Sequence, residues 1–164
     1  SQTFTLNALR SVRGALSVEN NEQLVGLNLP ALRHVGGALT IANNAGLGSV
    51  TMNALAQVFG GVNVSSNETL ASLAVPALET VKGRFVVFDH VALQTLTTTA
   101  LRTVLEDIEI RNNRFLDCSI VDALICGIDP NPSADDVLVT GNDRDNDNAT
   151  APAACVITAS CLAP

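Results

Sequence analysis

The 164-residue sequence has no tryptophan and no tyrosine, and its only aromatic residues are five phenylalanines. A core this poor in aromatic side chains has to be built from Leu, Val, Ile and Ala, and the hydrophobic fraction of 47% is large enough for one. Basic residues are scarce as well, since nine Lys and Arg stand against sixteen Asp and Glu, for a formal net charge of −7. This balance argues against a nucleic-acid partner and against electrostatic binding to an anionic membrane. No apolar run approaches the roughly 20 residues of a membrane span.

Cysteine is missing from the first two thirds of the chain, and all four cysteines come late: Cys118, Cys126, Cys155 and Cys161. None forms a Cys-x-x-Cys pair and both histidines are far away in sequence, so a zinc site is not predicted. An even, clustered count favours two disulfides and an oxidising compartment, and the sequence alone allows three pairings. No signal peptide begins at Ser1, so we expect any such peptide to have been removed or to lie outside this sequence.

A repeat of 23 residues runs through most of the chain. The segment 15–21 recurs at 38–44, 61–67, 84–90 and 107–113, and Ala31 has an alanine counterpart in each following repeat. Each repeat holds two alternating apolar pairs, Leu16-x-Val18 and Leu27-x-Leu29 in the first, which are typical of short strands. One such coil cannot bury its own apolar residues, but stacked coils bury them as continuous columns. The repeat therefore predicts an all-β, β-rich solenoid of 23-residue coils with parallel strands.

An asparagine follows the first strand of most repeats in one fixed phase, at Asn21, Asn44, Asn67 and Asn113, and His90 replaces it once. An inward asparagine at a corner can bond main-chain groups of its own coil and of the next coil. We call this column the Asn ladder and predict a structural role for it. The alternative is a row of ordinary turn asparagines on the surface.

These residues resemble the receptor L-domain repeat, a leucine-rich-repeat-like unit of receptor ectodomains and of bacterial and fungal surface proteins. The shared pattern is L-x-V-x-N-N-x-x-L-x-x-L-x-L-P-A-L-x-x-V-G-G, and the resemblance covers about residues 1–127. It implies a right-handed single-stranded β-helix that is secreted or displayed on the cell surface and binds a protein or glycan rather than acting as an enzyme. It also implies a C-terminal cap, residues 128–164, in which Cys118 pairs with Cys155 and Cys126 with Cys161. No binding residue transfers, because the outward positions of that repeat vary.

The period breaks after Gly127, where an irregular acidic loop precedes one expected last strand at Val137-x-Val139 and an asparagine in the ladder phase, Asn142. The first residues, 1–14, read as half a repeat. Because an uncovered solenoid end presents strand edges, head-to-tail assembly into an extracellular filament or coat is the alternative function to recognition or adhesion.

The sequence offers few candidate sites, and we expect no catalytic residues and no cofactor. Asp143, Asp145 and Asp147 are spaced like the first half of a calcium loop, but the glycine and the final glutamate of that loop are missing, so a solvated acidic loop is the alternative. N-x-S/T sequons begin at Asn63, Asn67 and Asn148, and Asn63 and Asn148 are the better candidates for glycosylation because Asn67 belongs to the ladder.

Two outward positions of the fourth repeat, Val86 and Phe88, predict a small exposed apolar patch for a partner; scattered surface side chains are the alternative. Ice binding requires a regular outward row of threonines. The outward positions of the first strand of each repeat do not form one, so the sequence argues against ice binding. Their two columns are Ser17, Thr40, Asn63, Val86, Glu109, and Glu19, Ala42, Ser65, Phe88, Arg111.

Overall fold

The computed structural model describes residues 2–142, 155 and 157–162. It confirms the predicted solenoid, in which each coil contributes one short strand to each of three parallel sheets. We number the sheets I, II and III in the order in which a repeat visits them. Sheet I contains Leu16–Glu19, Leu39–Ala42, Val62–Ser65, Phe85–Phe88, Ile108–Arg111 and Val137–Thr140. Sheet II contains Gln2–Thr5, Leu24–Asn28, Ser49–Thr51, Ser72–Ala74 and Thr95–Thr97. Sheet III contains Ser11–Val12, His34–Val35, Gln57–Val58, Thr80–Val81 and Thr103–Val104.

The register between coils equals the sequence period, so Leu39 pairs with Leu16 on one side and with Val62 on the other. Each inner position therefore faces its own counterpart from the next coil, and the columns fuse into one aliphatic core. Phe85 is the only aromatic residue in that buried cluster. The short third strands of sheet III were not predicted, because a two-residue strand is too short to show an alternating pattern.

Sheet III is followed by a tight corner at which successive coils come very close. A Cβ atom added to Gly36 would lie 2.0 Å from the main-chain oxygen of Arg13 in the preceding coil. Only glycine allows this approach without displacing the main chain. The glycine that recurs at this corner is the next residue, Gly37, with Gly60 and Gly83 in the following coils, and a Cβ added to any of them would lie 2.7–2.8 Å from a main-chain nitrogen of the preceding coil.

The C-terminal end of the solenoid is covered by the helix Cys118–Cys126, which occupies the phase of a sheet II strand. Asp117 caps the helix by accepting a 2.7 Å hydrogen bond from the main-chain nitrogen of Ser119. Two 3₁₀ turns follow, Ala134–Asp136 and Ala159–Cys161, and the last strand of sheet I, Val137–Thr140, lies between them in the chain. That strand pairs with Ile108–Arg111, as predicted from Val137-x-Val139.

Two disulfides fix the cap to both ends of the helix. The pairs are Cys118–Cys155 and Cys126–Cys161, the pairing that the receptor L-domain resemblance implied. Thr158 adds two hydrogen bonds to the Asp122 carboxylate, from its main-chain nitrogen at 2.7 Å and from its hydroxyl at 2.9 Å. Within the described part of the chain, no helix is long and apolar enough to cross a membrane.

Candidate functional site

The Asn ladder is a continuous hydrogen-bonded column at the corner between sheets I and II. Asn44 Oδ1 accepts from both the main-chain and side-chain nitrogens of Asn21, at 3.0 and 3.1 Å, and its Nδ2 donates to the carbonyl of Val18. Asn67 repeats this pattern one coil later. Asn142 completes it at the C-terminal end by accepting two bonds of 3.0 Å from Asn113. Asn44, Asn67, Asn113 and Asn142 are fully buried, whereas Asn21 in the first coil is exposed. The ladder is therefore structural in these coils, because it satisfies polar groups inside the corner.

The residue before each ladder position has its own role, which the sequence reasoning missed. Five of these residues have positive φ angles between 51° and 59°, and the sixth is Gly141 at 67°. The column consists of Asn20, Asn43, Ser66, Asp89, Asn112 and Gly141. Asn and Asp tolerate this left-handed conformation better than most side chains, which explains the doubled asparagine of the repeat. The two consecutive asparagines of the repeat were the sequence signal for this left-handed position.

His90 continues the ladder with different chemistry. Its Nδ1 lies 2.8 Å from Asn113 Oδ1, which can only accept, so Nδ1 carries the proton. Its Nε2 lies 3.4 Å from Asn67 Nδ2, which can only donate, so Nε2 carries none. Burial lowers the pKa of His90, against smaller opposing effects of the Asn113 bond and the Asp89 charge. Both neighbours therefore select the neutral imidazole.

The outer face of sheet I carries the predicted apolar patch. Phe85 and Val87 are fully buried, while Val86 and Phe88 point outward, as the register required. Both outward side chains are half-buried rather than exposed, and the guanidinium of Arg111 lies 4.4 Å from the Phe88 ring centroid. Arg111 also forms an ion pair with Glu109 in the same strand. The patch is thus small and bordered by charge.

The remaining candidate positions are distributed as follows. The candidate calcium residues Asp143, Asp145 and Asp147 and the sequon at Asn148 lie outside the described residues. Asn63 is half-buried in the middle of a sheet I strand, and its Oδ1 has no hydrogen-bond partner among the described residues.

One group within the described part of the chain resembles a metal-ligand set: Asp122, Cys126 and Cys161. Its two sulfurs are joined in a disulfide, which removes the thiolates that would bind a metal.

Sheet II presents the most regular outer surface of the described molecule. On either side of its buried central column, two outward columns run from coil to coil in exact register. The first outer column consists of Thr3, Gly26, Ser49, Ser72 and Thr95. The second outer column consists of Thr5, Asn28, Thr51, Ala74 and Thr97. We call this surface the hydroxyl face, because seven of its ten outward side chains are Thr or Ser.

The hydroxyl face is also uncharged over its whole length. The five segments that form the sheet II side of each coil contain no Asp, Glu, Lys or Arg, although 15% of the chain is charged. These segments are 2–9, 24–32, 47–55, 70–78 and 93–101. Outward positions of sheet I do carry charge, for example Glu19 and Glu109. The outer faces of sheets I and II therefore differ in charge.

The hydroxyl groups of this face are not used to hold the protein together. Among the described residues, only Thr95 donates a hydrogen bond from the two outer columns, a long one of 3.5 Å to the carbonyl of Ala71. The central column beneath them is closed, since Leu27, Val50 and Leu73 are at most 2% exposed. The face can therefore offer its hydroxyls as donors and acceptors to a partner without disturbing the core.

No model of a known protein family, no curated protein and no solved structure matches this chain. The resemblance to the receptor L-domain repeat consequently stays a prediction from the repeat pattern.

Proposed function

We propose that this protein is a non-enzymatic recognition or adhesion module of the extracellular space or cell surface, and that it binds its partner through the hydroxyl face. The two disulfides support an oxidising, extracellular location. The single observation that carries the proposal is the absence of charge from five successive coils on one exposed side of an acidic protein. Folded proteins normally intersperse charges of both signs over their exposed surfaces, which keeps them soluble.

Two features that could have belonged to a reactive site have structural roles instead. His90 is fully buried and bonded on both sides within the Asn ladder. The cysteines near Asp122 are joined in a disulfide. These roles support a binding function over a catalytic one.

A pair of matched variants tests the proposal. Thr51 and Thr40 belong to the same coil, are both half-buried, and lie outward in the middle of sheets II and I respectively. Thr51→Glu places an unpaired charge on the hydroxyl face, and Thr40→Glu places the same charge on sheet I. The wild type and both variants are mixed with particles of cellulose, chitin and ice, and the bound fraction is measured.

Binding of the wild type to one of these surfaces, lost in Thr51→Glu and kept in Thr40→Glu, supports the proposal. Binding to none of them, or equal binding by both variants, overturns it. Urea unfolding of each variant identifies any loss that is caused by misfolding.

A further inference from the structure

We infer that the partner of the hydroxyl face is the surface of ice. The inference rests on the proposed function, since it names the ligand of the same face. It draws on three properties of the face that are independent of one another: its two-dimensional spacing, its exclusion of charge and its lack of aromatic rings.

The spacing is fixed by the fold in both directions. Along the solenoid, in-register parallel strands separate successive members of an outer column by about 4.8 Å. Across the face, the two columns are two residues apart along each strand, or about 6.6 Å. Oxygen atoms on ice surfaces repeat at comparable distances in two directions. A hydroxyl is one donor and two acceptors whether serine or threonine carries it, so the seven hydroxyls of this face can take the place of lattice water molecules without the regular row of threonines that was expected to be required. The two columns are interrupted at Gly26, Asn28 and Ala74.

The five threonines of the face are held before the ligand arrives. Threonine is stiff about χ1 because it branches at Cβ, and parallel pairing on both sides holds each inner strand in register. A rigid array loses little conformational entropy on binding a solid surface. Its hydroxyls, apart from that of Thr95, make no competing hydrogen bond within the described protein.

The lack of charged side chains and of aromatic rings on this face also favours ice as the ligand. A charged side chain keeps a strongly bound hydration shell, and pressing it against a neutral crystal would require that shell to be removed without compensation. Neutral polysaccharides are the other extensive uncharged surfaces, but their sugar rings are usually held against aromatic side chains. The chain has neither Trp nor Tyr, and the only Phe in the sheet II segments is Phe4 in the first coil. Thus the chemistry of the face favours water in a lattice over sugar rings.

The test is partition into ice. Ice is grown slowly from a dilute solution of the wild type, and the protein in the ice fraction is compared with that of Thr51→Glu and of the matched control Thr40→Glu. The difference between melting and freezing temperatures is measured for the same three proteins. We expect the wild type and Thr40→Glu to enter the ice, and Thr51→Glu to enter at least about tenfold less, since an unpaired buried charge weakens contact by this amount or more.

A gain-of-function variant keeps the inference open to refutation if Thr51→Glu unfolds. Ala74 is the one outward position of the second column that has no polar side chain, and it lies between Thr51 and Thr97. Ala74→Thr fills this gap, so it should increase partition into ice. A decrease in a variant that is folded by urea titration would contradict the inference.

The remaining outcomes separate this inference from the proposed function. If the wild type is rejected by ice but binds cellulose or chitin in a Thr51-dependent manner, the ligand is wrong and the binding face is right. If the wild type forms a dimer that Thr51→Glu dissociates, a second copy covers the face and the inference is wrong. If both glutamate variants enter ice equally, the hydroxyl face has no part in binding.

Discussion

The buried histidine of the Asn ladder predicts a specific loss of stability in mild acid. The unfolded chain has an ordinary histidine pKa near 6.5, and burial lowers the pKa of His90 in the folded protein. Above about pH 6.5, His90 is neutral in both states and its contribution to stability is complete. As the pH falls from there toward the folded pKa, the unfolded state binds the proton first, so the free energy of unfolding decreases.

The structure shows why His90 resists protonation in the folded protein. A second ring proton on Nε2 would point at Asn67 Nδ2, which is itself a donor, so a 3.4 Å contact would change from attractive to repulsive. The charged group nearest the ring in sequence, Asp89, favours protonation but is outweighed by burial. For one proton, the loss is at most about 1.4 kcal/mol per pH unit and no more than about 1.4 kcal/mol between pH 7.5 and pH 5.5.

The assay is urea unfolding at pH 7.5 and 5.5 of the wild type, His90→Asn and the control His34→Asn. Asn at position 90 restores the residue of the other coils and cannot titrate. Because carboxylates also contribute to acid sensitivity, the informative quantity is the difference between variants. We expect His90→Asn to lose about 1 kcal/mol less than the wild type over this interval, and His34→Asn, which removes an exposed histidine, to behave as the wild type. Equal losses in all three proteins would refute the assignment of His90 as a buried neutral ladder residue.

Three further predictions concern stability and modification. Asn67→Ala should lower the free energy of unfolding by about 3 kcal/mol, because it leaves the buried amide of Asn44 without its acceptor. Asn21→Ala, at the exposed end of the ladder, should lower it by under about 1 kcal/mol. Equal costs in urea titrations would show that the ladder does not act through burial. Reducing the two disulfides, which span 37 and 35 residues, should remove up to about 4 kcal/mol each, seen as a lower unfolding midpoint in reductant. In a glycosylating host, the sequon at Asn67 should stay unmodified, because its Nδ2 is buried and donates to Ile41; a glycan found there by mass spectrometry would contradict the placement.

The repeat pattern was sufficient to predict the solenoid because each inner position is repeated at an interval that matches the structural register. Leu39 pairs with Leu16 for the same reason that the two residues align in the sequence. The Asn ladder and the last strand at Val137 could be predicted on the same basis, even though 29 residues rather than 23 separate Asn113 from Asn142.

The candidate site was harder to predict, because outward positions follow no packing rule. The outward columns of sheet I contain no row of threonines. The sheet II strand was predicted one residue late, as Leu27-x-Leu29, whereas the strands of the following coils are Ser49–Thr51 and Ser72–Ala74, in register with 26–28. Because of this shift, the polar positions on either side of the buried central column were not recognised as outward columns.

The outer faces of sheets I and II differ in a way that bears on function more than any single residue does. If the coils arose as copies of one unit, every outer position began alike, and positions without a role were free to diverge. On sheet I one outer column now runs through Ser17, Thr40, Asn63, Val86 and Glu109, and thus mixes polar, apolar and charged side chains. Packing does not distinguish outward positions on sheet II from these, since both lie on exposed parallel sheets above a closed core. We therefore attribute the lack of charge on sheet II, in contrast to sheet I, to what the hydroxyl face contacts.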